Sequence, residues 1–115
     1  MQKINTNILG SNYEVQVGKR KETGISKELM GQCCPYLHTI QVEHSMRDCE
    51  TEKERDMRTV DIVAHEVFHA YAHESGLNLP EDIEENIAVW YEKMWRRINN
   101  SIIEILDELN LLDNK

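Results

Sequence analysis

The feature that most constrains this chain is a long stretch from about Glu50. In it Met57, Val60, Val63, Ala64, Val67, Phe68 and Tyr71 recur at spacings of three and four, with His65, Glu66 and His69 set among them. Such spacing makes one apolar stripe on an α-helix. His65-Glu66-Val67-Phe68-His69 also matches the pattern HExxH. Residues four apart lie one above the other on a helix, so both imidazoles reach toward one point, while Glu66 is turned about 100° away from His65. Two histidines and a glutamate within an apolar helix incur a desolvation cost unless they have a partner such as a metal ion. The sequence therefore predicts a zinc ion held by His65 and His69. Glu66 stands beside it as general base, placed to take a proton from a water that the metal acidifies.

A catalytic zinc has three protein ligands as a rule and leaves the fourth position to water. His73 continues the spacing, yet it lies eight residues from His65, about 12 Å along a straight helix. It is read as a surface residue or as a hydrogen-bond partner of a ligand. The metzincin pattern HExxHxxGxxH bends the chain at a glycine, and here Ala72 stands in that place. The remaining candidates are Glu81, Asp82, Glu84 and Glu85. They open a second helix at Pro80, after a stop signal at Gly76. Glu81, Glu85 and Ala88 share one side of that helix. Glu81 is the preferred third ligand, with Glu85 hydrogen-bonding a ligand histidine one turn on; Glu84 and Glu85 stay open as alternatives for the ligand itself.

The rest of the chain suggests an α+β domain. Residues 3–18 alternate as a hairpin around Gly10-Ser11-Asn12, and Thr39 to His44 alternates as a half-buried or edge strand. Lys19–Gly24 reads as a loop, Ile25–Met30 as a turn or two of helix, and Gly31–Pro35 as irregular. Ile83, Ile87, Trp90, Tyr91, Met94 and Ile98 form the second helix's apolar stripe, and Ile102, Ile103, Leu106 and Leu109 extend it beyond a break at Asn99-Asn100-Ser101. That terminal stretch would cover the core or pair with a second copy. The 115 residues suit one domain, sheet-rich over 1–49 and helical over 50–115.

A formal net charge of −8 disfavours nucleic acid and anionic membrane as partners. The sequence shows neither a signal peptide nor an apolar run long enough for a membrane span, so a cytoplasmic protein is expected. Cys33, Cys34 and Cys49 read as free thiols: neighbouring side chains on an extended segment point to opposite faces, and no CxxC pair is present. His38 and His44 flank the proposed strand as surface histidines, and Tyr71 and Tyr91 as packing residues.

Residues 62–88, IVAHEVFHAYAHESGLNLPEDIEENIA, resemble the core of small HExxH proteins encoded by phages and mobile elements, related to gluzincins and ImmA/IrrE-type metallopeptidases. Such proteins pair HExxH with a glutamate followed four residues later by Asp, Asn or Glu, as Glu81 is by Glu85. The resemblance implies a minimal zincin-like fold, a small antiparallel sheet packed on the HExxH helix and one or two further helices. It also implies hydrolysis of a peptide bond in a protein or peptide laid along Ile40–His44 as an edge strand. No substrate-binding domain is recognisable, which points to a regulatory protein partner. The alternative is a non-catalytic binding or regulatory module in which the same zinc staples two helices. A closed, fully protein-ligated metal distinguishes that module from an enzyme with an open fourth position.

Overall fold

The computed structural model describes residues 1–26 and 28–112. Four strands, β1 (Gln2–Ile8), β2 (Ser11–Gly18), β3 (Gly31–Cys34) and β4 (Thr39–Glu43), form one sheet in the order β1-β2-β4-β3. A short helix, α1 (Arg20–Thr23), follows β2, and two long helices, α2 (Glu52–Glu74) and α3 (Glu81–Glu108), complete an α+β fold.

The sheet is mixed, not antiparallel throughout. β1 and β2 form the expected hairpin, and β3 pairs antiparallel with β4, but β2 and β4 run parallel with Val15 opposite Ile40 and Val17 opposite Val42. A tight turn forces neighbouring strands to be antiparallel, whereas the connection from Gly18 to Thr39 is long enough to return the chain in the same direction. The edge is also reassigned. Ile40–His44 was expected at the edge, yet β4 lies between β2 and β3 with Ile40 and Val42 completely buried. The strand at that edge is β3, with β1 at the other, and β3 falls in the segment read as irregular because Gly31 and Pro35 are weak strand formers. Lys19–Gly24, read as loop, contains α1; the helical turns expected over Ile25–Met30 are absent among the described residues there, Lys27 being outside them.

One face of the sheet carries the core, Ile8, Tyr13, Val15, Ile40 and Val42, against Ala70 of α2. The alternation of β2 and the stripe of α2 meet there, and the small Ala64 and Ala70 let the helix lie close. Tyr13 donates its hydroxyl to Glu74 at 2.7 Å, and Ser11 does the same at 2.7 Å, tying the hairpin to the last turn of α2.

The ends of α2 follow from side-chain chemistry. Thr51 is the N-cap and forms a capping box with Glu54, whose backbone N–H reaches the threonine hydroxyl at 3.1 Å. Gly76, at φ +77°, ends it, with its N–H and that of Leu77 returning to carbonyls of His73 and Ala72. The loop before α2 is fixed by Glu43, which is buried and accepts hydrogen bonds from Arg47 at 2.6 and 3.0 Å and from Ser45 at 2.6 Å. Arg58 in turn donates to the carbonyls of Arg47 and Ser45. Helix α3 runs through Asn99-Asn100-Ser101 without a break, because asparagine and serine cost a helix only fractions of a kcal/mol each and no proline or glycine stands there.

Candidate metal centre

The turn at Gly76 lays the start of α3 across the middle of α2, and a cleft of about 1040 Å³ opens between these helices and β3. His65, Glu66 and His69 line it from α2, Gly31 and Cys33 from β3, and Glu81, Glu84, Glu85 and Glu92 from α3. At its floor His65, His69 and Glu85 each offer an atom within 4.8 Å of the others. His65 Nε2 lies 3.1 Å from one Glu85 oxygen, and His69 Nε2 lies 3.0 Å from the other. Glu81, the preferred third ligand, lines the same cleft but is outside this group. It sits one turn before Glu85, about 6 Å nearer the start of α3, and the crossing of the helices brings Glu85 over the two imidazoles.

The far nitrogens are equally well placed. His65 Nδ1 is 2.6 Å from Glu92 Oε1, and His69 Nδ1 is 2.5 Å from Glu84 Oε2. A neutral imidazole that donates from Nδ1 presents a lone pair at Nε2. Both Nε2 atoms then face a carboxylate, acceptor against acceptor, and the arrangement is stable only with protons or a cation among them. Ligands held about 2.0–2.1 Å from a tetrahedral ion are roughly 3.3 Å apart, close to the separations found here. Two imidazoles and one carboxylate, with acids behind both rings to fix the tautomer, are a donor set that fits a divalent cation.

Glu66 is buried yet borders the cleft beside this group. Burial pushes its carboxyl above the usual carboxylate range, opposed by the charges of His65 and His69 and aided by those of Glu85 and Glu92. For His65, burial alone would lower the pKa, but the hydrogen bond to Glu92 and the charges of Glu66 and Glu85 outweigh it and the net shift is upward. The Glu85 side chain remains 53% exposed, so the group opens to the cleft and is not sealed by protein.

His73 stays out of the group, exposed at the rim with Tyr36 edge-on to its ring at 5.3 Å. His38 stacks on Tyr13, and His44 bonds Thr59. Tyr91 packs on Phe68 and Tyr71 is exposed; neither lines the cleft. Three contributors went unnoticed in the sequence: Glu92, Gly31 and Tyr36. Only Glu92 left a trace, seven residues after Glu85 and so two turns along the same face.

No family model matches this chain, and neither does any curated protein or solved structure. No described helix is long and apolar enough to cross a membrane.

Proposed function

We propose that this chain is a zinc-dependent metallopeptidase of the HExxH type, with His65, His69 and Glu85 as ligands and Glu66 as general base. The observation that carries the reading is the convergence of both Nε2 atoms and the Glu85 carboxylate on one point, with an acid behind each ring. Zinc bound there would supply a Lewis acid for a peptide carbonyl and lower the pKa of water. Glu66, raised by burial, suits a group that takes a proton from the attacking water and passes it to the leaving amine. Glu84 and Glu92 hold the imidazoles in orientation. The outer edge of β3, running along the cleft, offers backbone groups to an extended peptide, in place of the β4 edge expected from sequence.

The half-exposed Glu85 and the open cleft favour catalysis over a closed metal staple. Three free thiols, Cys33, Cys34 and Cys49, suit a reducing compartment, and we place the protein in the cytoplasm. Its substrate class is a protein or peptide, and a regulatory protein partner would act with it.

The test is a pair of measurements on purified protein. Wild type should retain about one zinc per chain after dialysis and cleave a mixed peptide library; His65→Ala should lose both properties. Glu66→Gln should keep the zinc and lose turnover by roughly 10²–10⁴-fold. Full turnover by Glu66→Gln would remove the catalytic claim, and a metal-free wild type in zinc-replete buffer would remove the site.

A further inference from the structure

The cleft carries charge of one sign. Of the described residues that line it none is Lys or Arg, while Glu28, Glu66, Glu81, Glu84, Glu85 and Glu92 put carboxylates on its walls. A divalent cation held by His65 and His69 offsets two of those charges and leaves the cavity negative. A cleft lined by one sign concentrates the field within it and draws in ligands of the other. The negative charge is not confined to the solvated rim: the Glu66 side chain is 7% exposed, borders the cleft and accepts no hydrogen bond from a described residue.

The two ends of the cleft differ. Glu84 lies behind His69 and Glu92 behind His65, so α3 runs opposite to α2, and Glu81 falls beyond His69, at the end where His73 and Tyr36 stand. At the other end is Glu28, beside Leu29. The Leu29 carbonyl accepts from Arg47 at 3.4 Å, and the Arg47 carbonyl from Arg58 at 2.6 Å, so cations already lie near that acid. The Glu81 carboxylate has no hydrogen bond or ion pair with a described residue. The dipole of α3 brings roughly half a positive charge to its start, and Glu81, Asp82 and Glu84 in the first turn outweigh it. Around Glu81 the lining is apolar: Leu77 is 49% exposed, Tyr36 is 90% exposed, and Leu79 is half-buried. An apolar wall ending in a carboxylate matches a Lys or Arg side chain, whose methylenes pack while the charged head stays in water.

Resting on the peptidase reading of this cleft, we infer that the end at the first turn of α3 binds a Lys or Arg side chain of the substrate, with Glu81 as the specificity-determining residue. Glu81 stands one turn, about 6 Å along α3, from Glu85. That distance is about two residues of extended peptide, so the basic residue lies within about two positions of the scissile bond.

Peptide pairs decide the matter on zinc-loaded protein, each pair acetylated at the amino terminus and identical but for Lys or norleucine at one position, which is moved along the sequence. Binding is read by fluorescence anisotropy on Glu66→Gln, which should keep the zinc without turnover, and cleavage as kcat/KM on the chain with Glu66 intact. At about 0.01 M salt the best Lys peptide should bind about tenfold more tightly than its norleucine twin. The gap should close towards 1 M, as the screening length falls from about 30 to about 3 Å. Adding Glu81→Lys should erase the preference and leave zinc content and the norleucine peptide's dissociation constant unchanged. Equal constants within every pair at low salt overturn the inference, as does a preference that survives Glu81→Lys. A preference seen only with unacetylated peptides assigns the charge to the amino terminus and overturns the Lys or Arg side chain. Cleavage of no peptide, with the Lys preference in binding intact, removes the peptidase reading and leaves the cation site standing; cleavage of both members of every pair at equal kcat/KM does the reverse.

Discussion

Gly31 of β3 lies directly against Glu66 of α2: a Cβ built on Gly31 would stand 3.0 Å from Glu66 Oε2 and 3.1 Å from its Cγ, and would collide with the Ile62 Cγ2 methyl. The glycine is there for space, since β3 crosses the helix at the point where the acid turns into the cleft.

Gly31→Ala should therefore displace either β3 or the Glu66 side chain. Overpacking of this kind costs roughly 1–3 kcal/mol, read as a fall in the unfolding midpoint. Zinc retention should survive, because the atoms nearest the new methyl belong to Ile62 and Glu66 and not to His65, His69 or Glu85, while turnover falls. Adding Ile62→Ala should recover part of the stability. Equal stability of Gly31→Ala and wild type would show that the close approach is not there in solution.

The ligand assignment separates Glu85 from Glu81 cleanly. Glu85→Ala should remove one of the three converging donors and abolish zinc retention, whereas Glu81→Ala should leave it near wild type. Glu84→Gln and Glu92→Gln keep the shape behind each imidazole but remove the charge. Each should weaken zinc by about 10–100-fold in a chelator competition. Zinc loss confined to Glu81→Ala would return the assignment to the earlier turn.

What could be read from residues alone follows a physical line. HExxH is a relation within one helix, fixed by the 3.6-residue repeat, so His65, Glu66 and His69 were legible. The hairpin read over 3–18 was legible for the same reason, its alternation and turn being local. Glu85 was not separable from Glu81 and Glu84, and Glu92 was not a candidate at all, because placing them needs the crossing of α2 and α3, which the turn at Gly76 sets through tertiary packing. The order β1-β2-β4-β3 was hidden too. Gly31-Gln32-Cys33-Cys34 has little strand propensity of its own and is held by its ladder to β4.

Acid should loosen the chain through Glu43. The hydrogen bonds from Arg47 are the largest influence on its carboxyl and hold it below the usual range, against the opposing effect of burial. A carboxyl whose folded pKa is depressed stabilises the fold above its unfolded pKa, and that stability disappears as pH falls through the folded value. Glu43→Gln should cost roughly 1–3 kcal/mol near pH 7, where a buried charged partner of Arg47 is removed. The difference from wild type should shrink as pH drops below about 4.5. Denaturant titrations at neutral and acid pH check this, and a gap that stays constant with pH would show that the ion pair contributes nothing.

The adjacent thiols offer a test of the β3 placement that needs neither metal nor substrate. On a strand successive side chains face opposite ways, and Cys33 packs toward the core while Cys34 points to the other side. Burial, then the negative charge of Glu66, pushes the Cys33 thiol up to about 12. Only thiolate reacts with an alkylating agent, so Cys33 is almost wholly inert near pH 8. Mass spectrometry after a timed pulse of iodoacetamide should find Cys34 and Cys49 labelled well before Cys33, with Cys33 reacting only on unfolding. If Cys33 reacts first, β3 is turned over or absent, and with it goes the wall of the cleft that Gly31 and Glu66 build together.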